Sequence, residues 1–305
     1  MVDKNNIFSI ITSTIIEVAV AIHRRNTFFM VSKMIGNTIN SEMDMLNVYD
    51  HNYAVRQVFL DNIRMGGKVR RILFEGEEAI MCEEGGNVNL GVSKLNGTKN
   101  YSVGHPMSMI VTAYEGEDYE KIVGVAFVSF GNTVELLYSG MDKKVSYFWF
   151  NNRNGFHSYT VDLKIPRYFD IMSVSGRKIP RFVRERVEKF EGGMEEQLNS
   201  NFLIDLFIIL RRGGIFYREK KINVFYYLRP LDYLLRCWDV NLLDSRGKVI
   251  GWSGNLEDRS DVFLEVGDLG EVGKITEKER MMLDSHILEN SVFELMRITR
   301  NEPDE

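Results

Sequence analysis

Between Val69 and Phe150 the chain passes through a series of short apolar segments interrupted by Gly, Asn and charged residues. Val69 to Phe74, Asn89 to Val92, Met107 to Tyr114, Ile122 to Phe130, Val134 to Tyr138 and Val145 to Phe150 have the length and β-branched or aromatic content of strands. A stretch patterned this way commits the first half of the chain to a sheet. The residues before it carry a different period. Ile7, Ile11, Ile15, Val18 and Ile22 recur at helical spacing, and Ser41 to Arg64 repeats the pattern with Met43, Leu46, Val55, Val58 and Phe59. The first of these segments is apolar enough to resemble a signal peptide. However, it holds Ser9, Thr12, Ser13, Thr14 and Glu17, follows Asp3 rather than a basic cluster, and is shorter than the ~20 residues that span hydrocarbon. It reads as an amphipathic core helix.

The second half restarts the alternation. Pro180 to Phe190 reads as a helix with a solvated face, and Asn201 to Leu210 as an apolar helix stopped by Gly213–Gly214. Ile215 to Tyr217 and Lys221 to Tyr227 read as paired strands about a turn at Arg218–Glu219–Lys220. Pro230 opens a further helix, Arg246 to Trp252 and Val262 to Val266 read as strands, and a last helix is expected from about Ile287 to Thr299. A break near residues 160–166 predicts two α/β domains, 1–163 and 164–305, in keeping with a length of 305 residues.

Composition narrows the function classes. A net charge of −5 removes the basic face that nucleic-acid binding requires. Hydrophobic residues at 44% exclude a disordered chain. Cys82 and Cys237 are the only cysteines, so a disulfide scaffold is excluded and a reducing compartment is expected, namely the cytoplasm. Two cysteines and five dispersed histidines also argue against a structural zinc site.

Three stations carry potential chemistry. Glu77–Glu78 ends a predicted strand, where carboxylates can converge on a hard cation such as Mg²⁺; a solvated acidic loop is the alternative. Leu95–Asn96–Gly97–Thr98 is by itself an ordinary turn, and Gly213–Gly214–Ile215–Phe216 a helix stop followed by a strand.

Taken in order, these segments resemble the fructose-1,6-bisphosphatase family, the class related to inositol monophosphatases. Gly36–Asn37–Thr38 stands where that family has Gly–Ser–Thr, and Leu46–Asn47–Val48 where it has Leu–Asp–Val. Ile72–Leu73–Phe74 running into Glu77–Glu78 matches its strand ending in paired glutamates. Ser93–Lys94–Leu95–Asn96–Gly97–Thr98–Lys99–Asn100 aligns with its metal signature Asp–Pro–Leu–Asp–Gly–Ser–Ser–Asn. Arg212 to Phe216 matches a Tyr–Gly–Gly–Ile–Phe segment, and Val224 to Pro230 a Leu–Leu–Tyr–Glu–Cys–Asn–Pro segment. The resemblance runs from about residue 7 to 299 and implies a layered α/β/α/β/α sandwich.

It also implies a changed site. Family members cluster carboxylates around Mg²⁺ ions that clamp a phosphate and activate water. Glu77 and Glu78 are retained here, but Asn47, Ser93, Asn96 and Tyr227 stand where the family has acidic residues. Asn keeps the shape of a carboxylate and loses the charge on which a hard cation depends. Lys94 beside the signature adds repulsion. The expectation is a protein without metal-assisted hydrolysis, needing no cofactor and serving a structural, regulatory or sugar-phosphate-binding role. The alternative is an active phosphatase using Mg²⁺ at a remodelled site on Glu77 and Glu78, helped by Asp232 or Asp239.

Lys221 aligns with a lysine that contacts the sugar and its 6-phosphate, and a solvated strand-end lysine is the equal alternative. Arg218 falls on a phosphate-contacting tyrosine, Gln197 on an arginine that reaches across from a neighbouring subunit, and Leu198 on the tyrosine after it. Glu115 replaces an arginine of the AMP pocket, and little chain precedes the first helix, so AMP inhibition is not expected. The family assembles as dimers of dimers, which implies a homo-oligomer, dimer or tetramer, with no nucleic acid and no membrane among its partners.

Overall fold

A computed structural model describes residues 4–34, 41–66, 68–83, 86–98, 106–116, 119–131, 134–151, 155–160, 171–175, 178–189, 194–195 and 201–266. The segments Gly36–Thr38, Lys99–Asn100, Gln197–Leu198 and the helix expected near 287–299 lie outside them. The chain divides into two compact units, Met1–Asp142 with Phe148–Ser158, and Lys143–Tyr147 with Tyr159–Glu305.

The first unit opens with helices α1 (Lys4–Met34) and α2 (Ser41–Gly66). Strands β1 (Val69–Phe74), β2 (Ile80–Met81), β3 (Val88–Val92), β4 (Met107–Glu115), β5 (Lys121–Phe130), β6 (Val134–Gly140), β7 (Val145–Asn151, its first three residues counted with the second unit) and β8 (Gly155–Thr160, its last two likewise) follow. They form one sheet in the order β2-β1-β3-β4-β5-β6-β7-β8. β1 pairs with β3 in parallel, while β3, β4, β5 and β6 pair antiparallel in sequence.

The helical stripe of the sequence faces this sheet. Ile7, Ile11, Ile15, Val18 and Ile22 of α1 are buried with Val55, Phe59 and Ile63 of α2 against Met107, Met109, Val111 and Ala113. Alternate residues of β4 and every third or fourth residue of α1 each form one apolar face, and the two faces share a single core. Each such side chain contributes roughly 1.5–3 kcal/mol by leaving water. Phe59 meets Phe74 edge-on, which ties α2 to the end of β1. Ser108, Ile110, Thr112 and Tyr114 on the other face of β4 are buried too, so the near-continuous apolar run reflects burial on both faces.

The second unit contains β9 (Ile171–Ser175), α3 (Arg181–Val187), β10 (Met194–Glu195), α4 (Phe202–Arg212), β11 (Gly214–Asn223), a π-helix (Val224–Leu228), α5 (Arg229–Leu235), a 3₁₀ turn (Arg236–Trp238) and β12 (Arg259–Val266). The sheet order is β10-β9-β11-β12, with β9 parallel to both β10 and β11 and β12 antiparallel to β11. Asn201 caps α4 by accepting the Leu203 N–H at 3.1 Å, and Gly213 ends it at φ +78°.

Three sequence expectations are corrected here. Arg218–Glu219–Lys220 is not a turn: β11 runs through it unbroken, and the register against β12 shifts between Arg218 and Ile222. The predicted strand ends at Asn223, and Val224 to Tyr227 belong to the π-helix, nucleated where the Asn223 side chain accepts the Tyr226 N–H at 3.0 Å. Arg246 to Trp252 is a loop, touching the sheet network only where Leu243 bridges Val249 and Phe263. Asp244 organises that loop by accepting the N–H groups of Arg246 and Lys248, so local turn chemistry outweighs strand propensity.

Candidate functional site

The first-unit candidates gather at one end of the parallel pair β1–β3. Phe74 lies opposite Val92, so the turns leaving both strands begin side by side. The Glu75 N–H donates to the Val92 carbonyl at 3.0 Å, and the Lys94 N–H donates to the Glu75 carboxylate at 2.9 Å. Glu77 closes the first turn by donating its N–H to the Phe74 carbonyl at 3.0 Å. Gly76 sits within that turn at φ +79°, and a Cβ there would lie 3.1 Å from Lys94 Nζ. Glycine suits the left-handed backbone there, and a side chain in its place would displace the Lys94 ammonium by a few tenths of an ångström.

Helix α2 clamps both turns with residues one helical turn apart. Asn52 Oδ1 accepts the Leu95 N–H at 3.1 Å, and Arg56 Nε lies 2.9 Å from Glu77 Oε2. Glu78 is exposed beside this pair. Ser93 is buried; its hydroxyl accepts the Ile110 N–H at 2.9 Å and donates to the Lys94 carbonyl at 3.2 Å. Asn96 is fixed through its backbone, which exchanges two hydrogen bonds with Ser108 at 2.7 and 2.9 Å, while its amide Nδ2 reaches the Lys94 carbonyl at 3.4 Å. Asn47 lies on α2, five residues before Asn52; its side chain is outside the described residues.

This donor set does not fit a divalent cation. Hard cations are held by several anionic or carbonyl oxygens. Here Glu77 already faces a guanidinium, Lys94 covers Gly76, and positions 93 and 96 supply a hydroxyl and an amide engaged with backbone groups. Among the described residues, no three His, Cys, Asp or Glu side chains group closely enough to hold a metal ion.

The second-unit candidates occupy β11 and the helices after it. Arg218 turns inward: its Nη2 lies 2.7 Å from Asp205 Oδ2 and 2.9 Å from Ser173 Oγ, while Nη1 donates to the carbonyls of Ser173 and Tyr217, both at 3.1 Å. Its guanidinium also lies over the Phe216 ring, 4.7 Å from the centroid. Burial pushes the Asp205 carboxyl up to about 7, against the charge and hydrogen bond of Arg218, which pull it down. Tyr227 is buried in the π-helix, its ring edge-on to Phe202 at 5.5 Å. Lys221 lies on β11 inside the register shift; its side chain is outside the described residues. Asp232 pairs with Arg236 at 2.8 Å, and burial raises its carboxyl even so, while Asp239 is exposed at φ +57° closing the 3₁₀ turn.

Two residues of this geometry, Asn52 and Arg56, carry no motif. The available signal was their i, i+4 spacing on the helix preceding β1, which is common to any amphipathic helix and points to no partner.

No protein-family model and no curated protein matches the chain by sequence. Solved structures do match in three dimensions. The fructose-1,6-bisphosphatase of Leishmania major in its holo form superposes with a TM-score of 0.67 at 17% identity, over 87% of this chain and 91% of that one. The same enzyme in its T-state gives 0.65 at 18% identity over 92% and 93%, and in its apo form 0.65 at 16% over 87% and 91%. The fold is therefore that of the fructose-1,6-bisphosphatases: mixed α/β, with two sheets and helices, as the sequence motifs led one to expect. Among the described residues no helix is long and apolar enough to cross a membrane.

Proposed function

We propose that the chain is a fructose-1,6-bisphosphatase-like protein in which metal-dependent phosphate-ester hydrolysis is lost or severely weakened. Its role is then structural or regulatory within carbohydrate metabolism, exercised in the cytoplasm by binding a sugar phosphate or a protein partner, with the chain itself forming a dimer or tetramer. The observation that carries this reading is the loop at 93–96. Where hydrolysis on this fold would call for carboxylates, Ser93 is buried and hydrogen-bonded to backbone, and Asn96 is built into a bridge with Ser108. Neither offers an anionic oxygen. The retained Glu77 faces Arg56. Arg218 has its donors turned to Asp205, Ser173 and Tyr217, which favours a structural task for it and leaves Lys221 as the candidate for a phosphate group.

The test is phosphate release from fructose 1,6-bisphosphate by the purified full chain with Mg²⁺ or Mn²⁺, alongside Glu78→Ala. The expected result is no release above background in either protein. Turnover that vanishes in Glu78→Ala would replace this reading with that of an enzyme working from a rebuilt metal site. Binding is tested separately, by a thermal shift with fructose 6-phosphate that Lys221→Ala should remove.

A further inference from the structure

The acidic turn after β1 has its counter-ions built into the chain. Glu75, Glu77 and Glu78 fall within four consecutive residues, an arrangement whose like charges repel unless something positive stands among them. Two side chains from elsewhere in the sequence do so. Arg56 arrives from α2 and places Nε 2.9 Å from Glu77 Oε2. Lys94 arrives from the end of β3: its backbone N–H donates to Glu75, and its side chain separately places the ammonium nitrogen beside Gly76, the one residue of the turn without a side chain. Asn52, one turn before Arg56 on α2, secures the 93–97 loop through Leu95, so the elements carrying the two cations are tied to each other.

We propose that Arg56 and Lys94 are resident cations of this turn, which offset two of its three negative charges and exclude a divalent ion. A guanidinium and an ammonium tethered to the chain occupy their places without a binding equilibrium, so the turn keeps its conformation whatever the metal concentration around it. The inference deepens the functional reading above and rests on it: the site is refused to metals by added cations as well as by missing carboxylates.

The consequence is a gain of function on removing charge. Mn²⁺ binding to the full chain is followed by the paramagnetic signal of the free ion, with thermal unfolding in parallel. The native chain is expected to leave Mn²⁺ free at millimolar concentration and to keep its Tm. Arg56→Gln combined with Lys94→Met should bind Mn²⁺, lose about 2–4 °C in Tm without it and regain that loss with it. Adding Glu77→Gln and Glu78→Gln should abolish the acquired binding. Lys94 is exposed, so Lys94→Met alone supplies a folded variant should the pair unfold, with weaker binding of the same kind. The proposal is overturned if the native chain binds Mn²⁺ as well as the variants do, or if folded variants still leave it free. Neither result depends on turnover, so a native chain that hydrolyses substrate would sink the functional reading independently.

Discussion

Both units hold an arginine against a carboxylate, at nearly the same distance and with opposite physical meaning. Arg56 and Glu77 lie 2.9 Å apart with side chains 34% and 45% exposed; Arg218 and Asp205 lie 2.7 Å apart with side chains 12% and 3% exposed. Water screens the first pair, so its energetic worth is small and its effect is local, fixing where a turn lies and what charge it presents. The second pair is cut off from water, and each member depends on the other and on Ser173 to offset its own desolvation. Distance alone ranks the two as equals, whereas burial makes one a feature of the surface and the other a condition of the fold.

Breaking the buried pair should have the largest effect. Above pH 7, where the carboxyl of the native chain is ionised, Arg218→Met leaves Asp205 without its cation and is expected to cost ~3–5 kcal/mol, read as a lowered midpoint in urea unfolding. A loss below ~1 kcal/mol would place the pair in the same class as the surface one. The pH dependence sharpens the point. The folded-state carboxyl of Asp205 is raised to about 7 from an ordinary 3.8, so its contribution is fully present below pH 3.8 and is lost as pH rises to about 7. Removing Arg218 removes the influence that pulls this value down, so the variant should continue to lose stability above pH 7, after the native chain has levelled off. Parallel stability profiles for the two proteins between pH 6 and 9 would contradict that assignment.

A buried hydrogen-bond hub without charge should fall between the extremes. Asn223 accepts the Tyr226 N–H at 3.0 Å and donates to the Leu256 carbonyl at 2.7 Å, joining the start of the π-helix to the loop before β12. Asn223→Ala is expected to cost ~1–2 kcal/mol, with the loss visible as faster amide exchange in the π-helix. At the small end, Arg56→Gln should change stability by less than ~1 kcal/mol, and 0.5 M salt should erase most of the difference.

How far each region could be read from sequence follows the same line between local and distant causes. β1 is legible to the residue, and α2 nearly so, because period and turn residues are local signals. β11 is misread where Arg218, Glu219 and Lys220 follow one another. A polar run ordinarily marks a turn, but Arg218 is drawn inward by Asp205, thirteen residues upstream and on another element. The strand expected at 246–252 dissolves into turns around Asp244, and the π-helix has no sequence period by which to be found. At the candidate site, Glu77 and Glu78 stand out because they follow a predicted strand, and Ser93 and Asn96 only through the resemblance of their segment to a metal signature. Asn52 and Arg56 do not, because their partners lie 43 and 21 residues further along the chain and only the folded helix brings them together.

The ion pair between Arg56 and Glu77 also constrains the routes by which this sequence can change. Another cation recruited to Glu77 has to compete with Arg56, and replacing Arg56 first leaves three neighbouring glutamates with Lys94 as the cation lying over their turn. Acidic residues restored at positions 93 or 96 would add negative charge to that intermediate before anything arrived to balance it. Each such step carries a cost below ~1 kcal/mol, so the pair biases the order in which substitutions accumulate without barring any one of them.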